Sequence, residues 1–535
     1  MKRIKNIVLM LLVAVPMVVM ISGCTKFLDR KPLTATMDDL HQGALESQSY
    51  GLYSTLRWAG FSTLPWVDFN SIRDDDAQKG SSLTDGAEIN AEFETFQYTK
   101  DDWATNTYWN DHYHMINQAN QELYTADSLK VTDDASKRNI GEACFFRAYS
   151  YFELVKAYGD VPKINFYYTN AKDGIKPKSP AIDIYALIDS DLNVASQYLP
   201  LNWDVAGNNR FPGRLTRGAA NTLWAQTYLF RKDWAKVVAL CNQVIASGEY
   251  KGAFDSIKKF DFSDIWKDGL NGVGKNSPES IFEEQSYVGA NGANNNGTQW
   301  GTMQNVRQGG ATNDWNLGWG WNTPTDHLVN AWDSTDPRKA KTILFSGQYD
   351  GGPSEGGYGA TLPPYDALGA SGHVEQKYWN KKVYSDPAMR AFTGQIRGSG
   401  GADWINHRIL RYADVILMLA EASNELGDGA TAAANLELIR NRASGNLGPT
   451  RTIVPPIPYI NQDQMRTAIK NERRWEFAME GYRFYDLVRW TPATDGIDAP
   501  NVLGGLGYQP RNALYPIPQP AIDLSGGVLK QNPNY

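Results

Sequence analysis

The residues of this chain best suited to chemistry fall into two groups, and neither has the spacing of a catalytic pair. The first lies between Trp66 and Gly80, where Trp66, Asn70 and Arg73 precede three successive carboxylates, Asp74, Asp75 and Asp76. Adjacent carboxylates repel one another, so a bound cation or a nearby arginine is one reason to keep them together, although a solvated loop needs neither. Calcium is the one cofactor this run leaves open. Its adjacency argues against that ion, because calcium loops usually draw oxygen ligands from alternate residues. No other cofactor or metal is expected. Glycoside hydrolysis needs an acid set apart from a second carboxylate across a cleft, and the sequence offers no evident pair of that kind. A lipid-anchored glycoside hydrolase is therefore an alternative reading and not the leading one.

The second group is aromatic. There are 17 Trp and 28 Tyr, and a segment from 258 to 401 is dense in Trp, Tyr, Gly and Asn. It contains the run Tyr287 to Trp300, with five asparagines or glutamines near its end, and then Asn313-Asp314-Trp315-Asn316-Leu317-Gly318-Trp319-Gly320-Trp321-Asn322. Loops this long are usually functional or disordered, and the aromatic content argues against disorder. An indole face lies well against the C–H face of a sugar ring while neighbouring amides and charges bond its hydroxyls. The competing reading is that these tryptophans fill the irregular region's own core, since Trp is highly buried on average.

The elements that must carry these residues are helices. Helical periodicity runs over 38–56, 106–126 and 133–158, the last with Phe145, Phe146, Tyr149, Tyr151, Phe152 and Tyr158 spaced to form one broad apolar face. Further pairs cover 215–230 with 234–247 and 411–426 with 430–443, whose small-large-small order suits close antiparallel packing and matches a tetratricopeptide framework. Such pairs cannot bury their apolar faces alone, so neighbours must supply the core. Their separation in sequence argues against one uninterrupted solenoid. Asn471 to Trp490 is an amphipathic, charge-laced helix broken at Gly481, and its charges are expected to pair along and between helices. The fold class is mainly α: a tetratricopeptide-like helical-repeat scaffold with a long loop-rich insertion bearing the ligand surface. In residue terms, 1–23 is a signal peptide and 24–535 one domain, with helical repeats at 38–257 and 402–490, the loop-rich region at 258–401 and an extended segment at 491–535.

The amino terminus sets the compartment. Lys2, Arg3 and Lys5 precede an apolar run from Ile7 to Met20, and Ile21-Ser22-Gly23-Cys24 closes it. This is a secretory signal ending in a lipobox, so Cys24 is the expected lipidation site and first mature residue. The 535 residues are 42% hydrophobic with no second apolar span, which suits a large folded body tethered by lipid. A net charge of -7 without a basic stripe excludes a nucleic-acid partner. Cys144 and Cys241 sit in apolar helical patterns and read as buried free thiols, although a single disulfide between them is sterically open.

Several motifs, in order, resemble the SusD/RagB family of surface glycan-binding lipoproteins. They are the lipobox followed by Phe27-Leu28-Asp29, the Arg73 to Gly80 segment, Arg147-Ala148-Tyr149 leading to Tyr158-Gly159-Asp160-Val161-Pro162, and Gly318-Trp319-Gly320 with Pro324-Thr325 and Asp336-Pro337-Arg338. Glu472-Arg473-Arg474, Glu480-Gly481-Tyr482-Arg483, Leu514-Tyr515-Pro516-Ile517-Pro518 and Gln531-Asn532-Pro533 complete the set. The resemblance implies a lipid-anchored protein without catalytic activity on the outer face of the outer membrane, capping a SusC-like TonB-dependent transporter and delivering oligosaccharide or polysaccharide to it. Trp319 lies within the shared frame and is expected to be structural. Trp66, Trp300, Trp315 and Trp321 lie outside it or at variable places and are the stacking candidates, with Asn70, Arg73, Asp75, Tyr287 and Asn313 as hydrogen-bonding candidates. A helical-repeat assembly adaptor that binds no glycan is the remaining alternative.

Overall fold

Capping residues decide where the long helices begin. Asp133 accepts the Ser136 amide at the start of a helix spanning Asp134–Tyr158 (α4), and Asp233 and Asp428 accept the amides of Lys236 and Thr431 ahead of Trp234–Ala246 (α7) and Gly429–Ala443 (α9). The computed structural model describes residues 45–81, 85, 92–203, 213–254, 260–308, 315–394 and 403–535. The signal segment, Cys24 and Asn313 lie outside the described residues.

The remaining labelled helices are Glu46–Thr55 (α1), Leu64–Asn70 (α2), Trp103–Leu129 (α3), Ala181–Tyr198 (α5), Arg217–Phe230 (α6), Tyr412–Glu425 (α8), Gln462–Phe477 (α10) and Arg483–Trp490 (α11). From α3 to α9 each packs on the next, and α8 also packs on α10. The stack therefore continues in space from α7 to α8, straight across the long insertion, contrary to the discontinuity expected from sequence spacing. The helix at 181–198, for which no periodicity was assigned, fills the place between α4 and α6. Helix α4 also departs from expectation. Every residue from 141 to 155 is buried, so it is enclosed on all sides rather than along one aromatic face. Its polar side chains survive burial by pairing: Arg147 with Asp191 at 2.6 Å, Glu142 with Arg214 at 2.6 Å, and Glu153 with the Tyr108 hydroxyl at 2.7 Å.

Between α1 and the aspartate run lie a turn of helix at Ala59–Ser62 and then α2, started by Pro65. Trp66, Val67 and Phe69 draw it into the main core. Short antiparallel ladders then attach the loop-rich region to the helices. Ala77–Gly80 (β1) pairs with Trp321–Pro324 (β3), Ser280–Glu284 (β2) with His407–Arg411 (β6), and Ile343–Phe345 (β4) with Tyr378–Asn380 (β5). The carboxy-terminal segment is not wholly extended, since Ala499–Leu503 and Gln519–Leu524 are helical. Its proline-stiffened run docks on α4: the Tyr515 amide donates to the Ala157 carbonyl and its hydroxyl to that of Asp68. Cys144 and Cys241 are buried and free.

Candidate functional site

The aspartate run is a structural junction. Arg474 donates to Asp75 at 2.8 Å and to Asp76 at 2.9 Å, and Arg483 donates to Asp75 at 2.9 Å. Asp74 instead accepts the backbone amides of Asp76 and Ala77. Burial raises carboxyl pKa values here, and against it Arg483 and then Arg474 hold Asp75 below the ordinary range. Asp74 lacks a guanidinium and is pushed well above it by burial and then by Asp76 and Asp75. The compensating cations that the run called for are thus arginines of α10 and α11. Arg73 is sealed as well. Its guanidinium lies 3.7 Å from the Phe484 ring centre and 3.9 Å from that of Tyr515, and it donates to the Asn512 carbonyl. Arg73 and Asp75 fix the loop and present nothing to a ligand.

Three of the four candidate tryptophans are also interior. Trp66 meets Trp300 edge-on at 5.0 Å, and Trp300 stacks on His407 at 3.9 Å. Gly481 makes this closure possible: its φ is +78°, and a Cβ there would come within 2.5 Å of the Trp66 ring. Trp321 sits in β3 opposite Gly80, with the Lys79 ammonium 5.1 Å from its ring. All three are at most 7% exposed, so they pack the core in place of the sugar-facing role assigned to them. Trp315 is half-buried and lies parallel to Tyr384 at 6.3 Å. Asn70 is buried, its side-chain amide bonded to the Trp66 carbonyl. Tyr287 alone of the described candidates stands out in solvent, 54% exposed.

Two hollows compete as a binding site. A cleft of about 680 Å³ between the helices and β6 is lined by Trp66, Asn70, Lys156, Gln226, Arg473 and Asp414, among others. Several of its polar groups pair with one another, through Lys156 with Glu153, Gln226 with Asp414, and Arg473 with Asp414 and Asp486. The second is a depression of about 610 Å³ bounded by Tyr53, Ser54, Leu56, Arg57, Gly213, Glu283, Glu284, Gln285 and Asn296. The end of α1 and the turn after it contribute one wall, and the end of β2 with the following hairpin contributes the other. Arg57 ties the walls together by donating to the carbonyls of Asn296 and Gly297. Two exposed aromatics adjoin this hollow. Tyr287 pairs through its backbone with Asn296, and Trp58, next to Arg57, is 41% exposed and stacks on His114 at 4.3 Å. The asparagine-rich turn beyond Tyr287 holds Asn291 and Asn294 at positive φ, a conformation asparagine tolerates better than most residues.

A family model described as "SusD family" matches residues 278–535, and one described as "Starch-binding associating with outer membrane" matches residues 26–229. The chain belongs to the SusD family. Among curated relatives, "SusD-like protein P2" of Formosa agariphila is 27% identical over 512 residues, 92% of each chain, and "SusD-like protein" of Bacteroides ovatus is 24% identical over 90% of this chain and 82% of the other. Solved structures share the fold. "Surface glycan-binding protein A" from Bacteroides uniformis has a TM-score of 0.71 at 19% identity, covering 92% of this SusD-family chain and 99% of its own. The protein of the same name from Bacteroides thetaiotaomicron, solved with laminarihexaose, has a TM-score of 0.70 at 22% identity over the same shares. The tetratricopeptide-like helical class expected from the sequence is that of these SusD-like structures.

Sequence reasoning about this SusD-family chain missed Arg57, Trp58, Glu284 and Gln285. The available signal was Arg57-Trp58 beside Gly60 at the close of the first helix, where an aromatic and a cation leave the helical pattern together. Glu284 carried no such signal, because it ends an apolar-looking strand.

Proposed function

We propose that this chain binds oligosaccharide or polysaccharide at the cell surface, leaves it uncleaved, and delivers it to a SusC-like TonB-dependent transporter in the outer membrane, where lipid on Cys24 holds it. The depression flanked by Tyr287 and Trp58 carries this reading, since an open hollow with solvent-exposed rings beside it suits a pyranose. Structural neighbours, one bound to laminarihexaose and one named "Laminarin binding SusD-like protein", support a glycan as the ligand. The carboxylates near the hollow support the non-catalytic reading. Glu283 accepts the Asn276 amide and the Asn406 side chain, and Asp403 accepts from Ile405 and Thr302, so neither stands free beside Glu284 as a second catalytic carboxylate. No helix among the described residues is long and apolar enough to cross a membrane, which fits tethering through a terminal lipid.

Titration calorimetry against a panel of neutral and acidic glycans, with release of reducing sugar measured in parallel, tests the proposal. Binding without sugar release is expected, weakened about tenfold in Tyr287→Ala, the scale of one lost stacking contact. A panel without binding, or sugar released at a catalytic rate, overturns it. Co-purification of a barrel transporter from detergent-solubilised outer membrane tests the delivery step, and release of Cys24→Ala from the membrane fraction tests the anchor.

A further inference from the structure

Helix α1 carries another exposed ring beyond the depression. Residues three and four apart share one face of a helix, so Tyr50 lies on the face that bears Tyr53 and Ser54, both of which line the hollow. Arg57 continues that side after the helix, its amide bonded to the Ser54 carbonyl, and Trp58 follows with its amide on the Thr55 carbonyl. At about 1.5 Å per residue, Tyr50 and Trp58 stand about 12 Å apart along the axis, more than one pyranose ring covers. Tyr50 is 49% exposed. The chain at Gly213 joins the hollow to this ring as well. Gly213 lines the hollow, and the next residue, Arg214, places its guanidinium 5.6 Å from the Tyr50 ring centre and 3.8 Å from that of Trp203.

Exposed tyrosines scattered singly are ordinary, but this one has a braced neighbour and lies in line with an open hollow. Arg214 is held by Glu46 at 2.7 Å and by buried Glu142 at 2.6 Å, and Glu142 also accepts the Tyr53 hydroxyl at 2.6 Å. The Trp203 indole N–H donates to the Leu215 carbonyl at 2.7 Å. At the other end, His114 stacks on Trp58 at 4.3 Å. Rings supported in this way lose little side-chain entropy when a sugar stacks on them. Resting on the glycan-binding reading above, we infer that the binding surface runs from the depression along α1 to Tyr50, and that its ligand is a linear, neutral oligosaccharide or polysaccharide chain. One sugar of the chain meets Tyr50, and others meet Trp58 and Tyr287. Both arginines on this path are already engaged, Arg57 by the carbonyls of Asn296 and Gly297 and Arg214 by its two glutamates, so neutral hydroxyls suit it better than sulfate or carboxylate groups.

The test is calorimetry on wild type, Tyr50→Ala and Tyr50→Phe, after circular dichroism has confirmed folding. The probes are malto-, laminari-, xylo- and manno-oligosaccharides of two to six sugars, with an acidic series alongside. Wild-type affinity should rise with chain length in the neutral series that binds. Tyr50→Ala should bind the longest chain about fivefold more weakly, the scale of one stacking contact, and the shortest chain that binds within about twofold of wild type. Tyr50→Phe keeps the ring and should follow wild type at every length. Affinity independent of length, Tyr50→Ala equal to wild type on the longest chain, or Tyr50→Phe as weak as Tyr50→Ala overturns the inference while leaving the depression as a glycan site. Equal losses on short and long chains would make Tyr50 a prop for the hollow and overturn it too, as would binding confined to the acidic series. If wild type binds nothing on the panel, the glycan-binding reading fails and takes this inference with it.

Discussion

Two carboxylate-rich regions of this protein lie far apart in sequence and have opposite electrostatics. Around α10 the acids are over-provided with partners. Glu476 is approached by Arg442 at 2.5 Å, Arg411 at 3.1 Å and Arg338 at 3.3 Å, Glu472 by Arg440 and Arg338, and Glu480 by Lys382 and Arg411. At the depression, Glu284 has burial of the same depth and no such partner. The consequence appears in their ionisation. Against burial, Arg442 and then Arg411 and Arg338 hold Glu476 far below the ordinary carboxylate range, whereas Glu284 is raised to about 8. A buried charge that is fully compensated serves the fold. A buried acid that lacks a cationic partner keeps its proton instead.

Breaking the first region should have the largest effect. Glu476→Leu strips one acid from among Arg338, Arg411 and Arg442, and removal of one partner from a buried ionic group costs about 3–5 kcal/mol. Urea unfolding should show that loss, with the slope unchanged. A loss below about 1 kcal/mol would mean the three arginines are satisfied by Glu279, Glu472 and Glu480 without Glu476.

The pH dependence of stability sharpens the same contrast at intermediate size. The folded state keeps the Glu284 proton to about pH 8, while an unfolded glutamate releases it near pH 4.3, so the folded chain loses stability from this group as pH rises between those values. His407 acts at the other end. Its folded value near 3 lies below the unfolded value near 6.5, so its contribution to stability is lost as pH falls through that window. Melting temperatures of Glu284→Gln should therefore gain on wild type from pH 5 to pH 8, and those of His407→Gln should lose less than wild type from pH 6.5 to pH 4. Parallel profiles for wild type and Glu284→Gln would show that water satisfies the acid and that it is not buried in effect.

How much of this was legible in the sequence follows from how locally each feature is encoded. The hairpins α6–α7 and α8–α9 announce themselves through Asp233, Asp428 and apolar periodicity, all within one stretch of chain. The charges of α10 and α11 read correctly as paired, because alternating signs on an amphipathic helix have few other uses. Exposure of an indole is not encoded locally. Trp300 lies in an asparagine- and glycine-rich segment suggestive of a surface loop, and it is covered by His407 from a strand far along the chain. Trp66 is covered by Gly481, whose lack of a side chain is visible but whose neighbour is not. The depression gathers residues 53, 54, 56, 57, 213, 283–285 and 296, which only the folded chain brings together. The exposure of Tyr287 is legible, because its segment is polar and glycine-rich.

The smallest expected effect on stability is the one that separates the two regions most cleanly. Tyr287 is 54% exposed and held only through its backbone pairing with Asn296, which alanine preserves. Tyr287→Ala should change unfolding free energy by no more than about 0.5 kcal/mol, as for surface substitutions elsewhere, while glycan affinity falls. Glu476→Leu should do the reverse, lowering stability while the folded fraction binds as wild type does. Stability and affinity measured on both variants form a double dissociation, and only a chain whose charge-compensated frame is separate from its ligand surface produces it. Loss of affinity in Glu476→Leu at temperatures where it is fully folded would show that α10 and the depression are coupled, and the division drawn between them would be wrong.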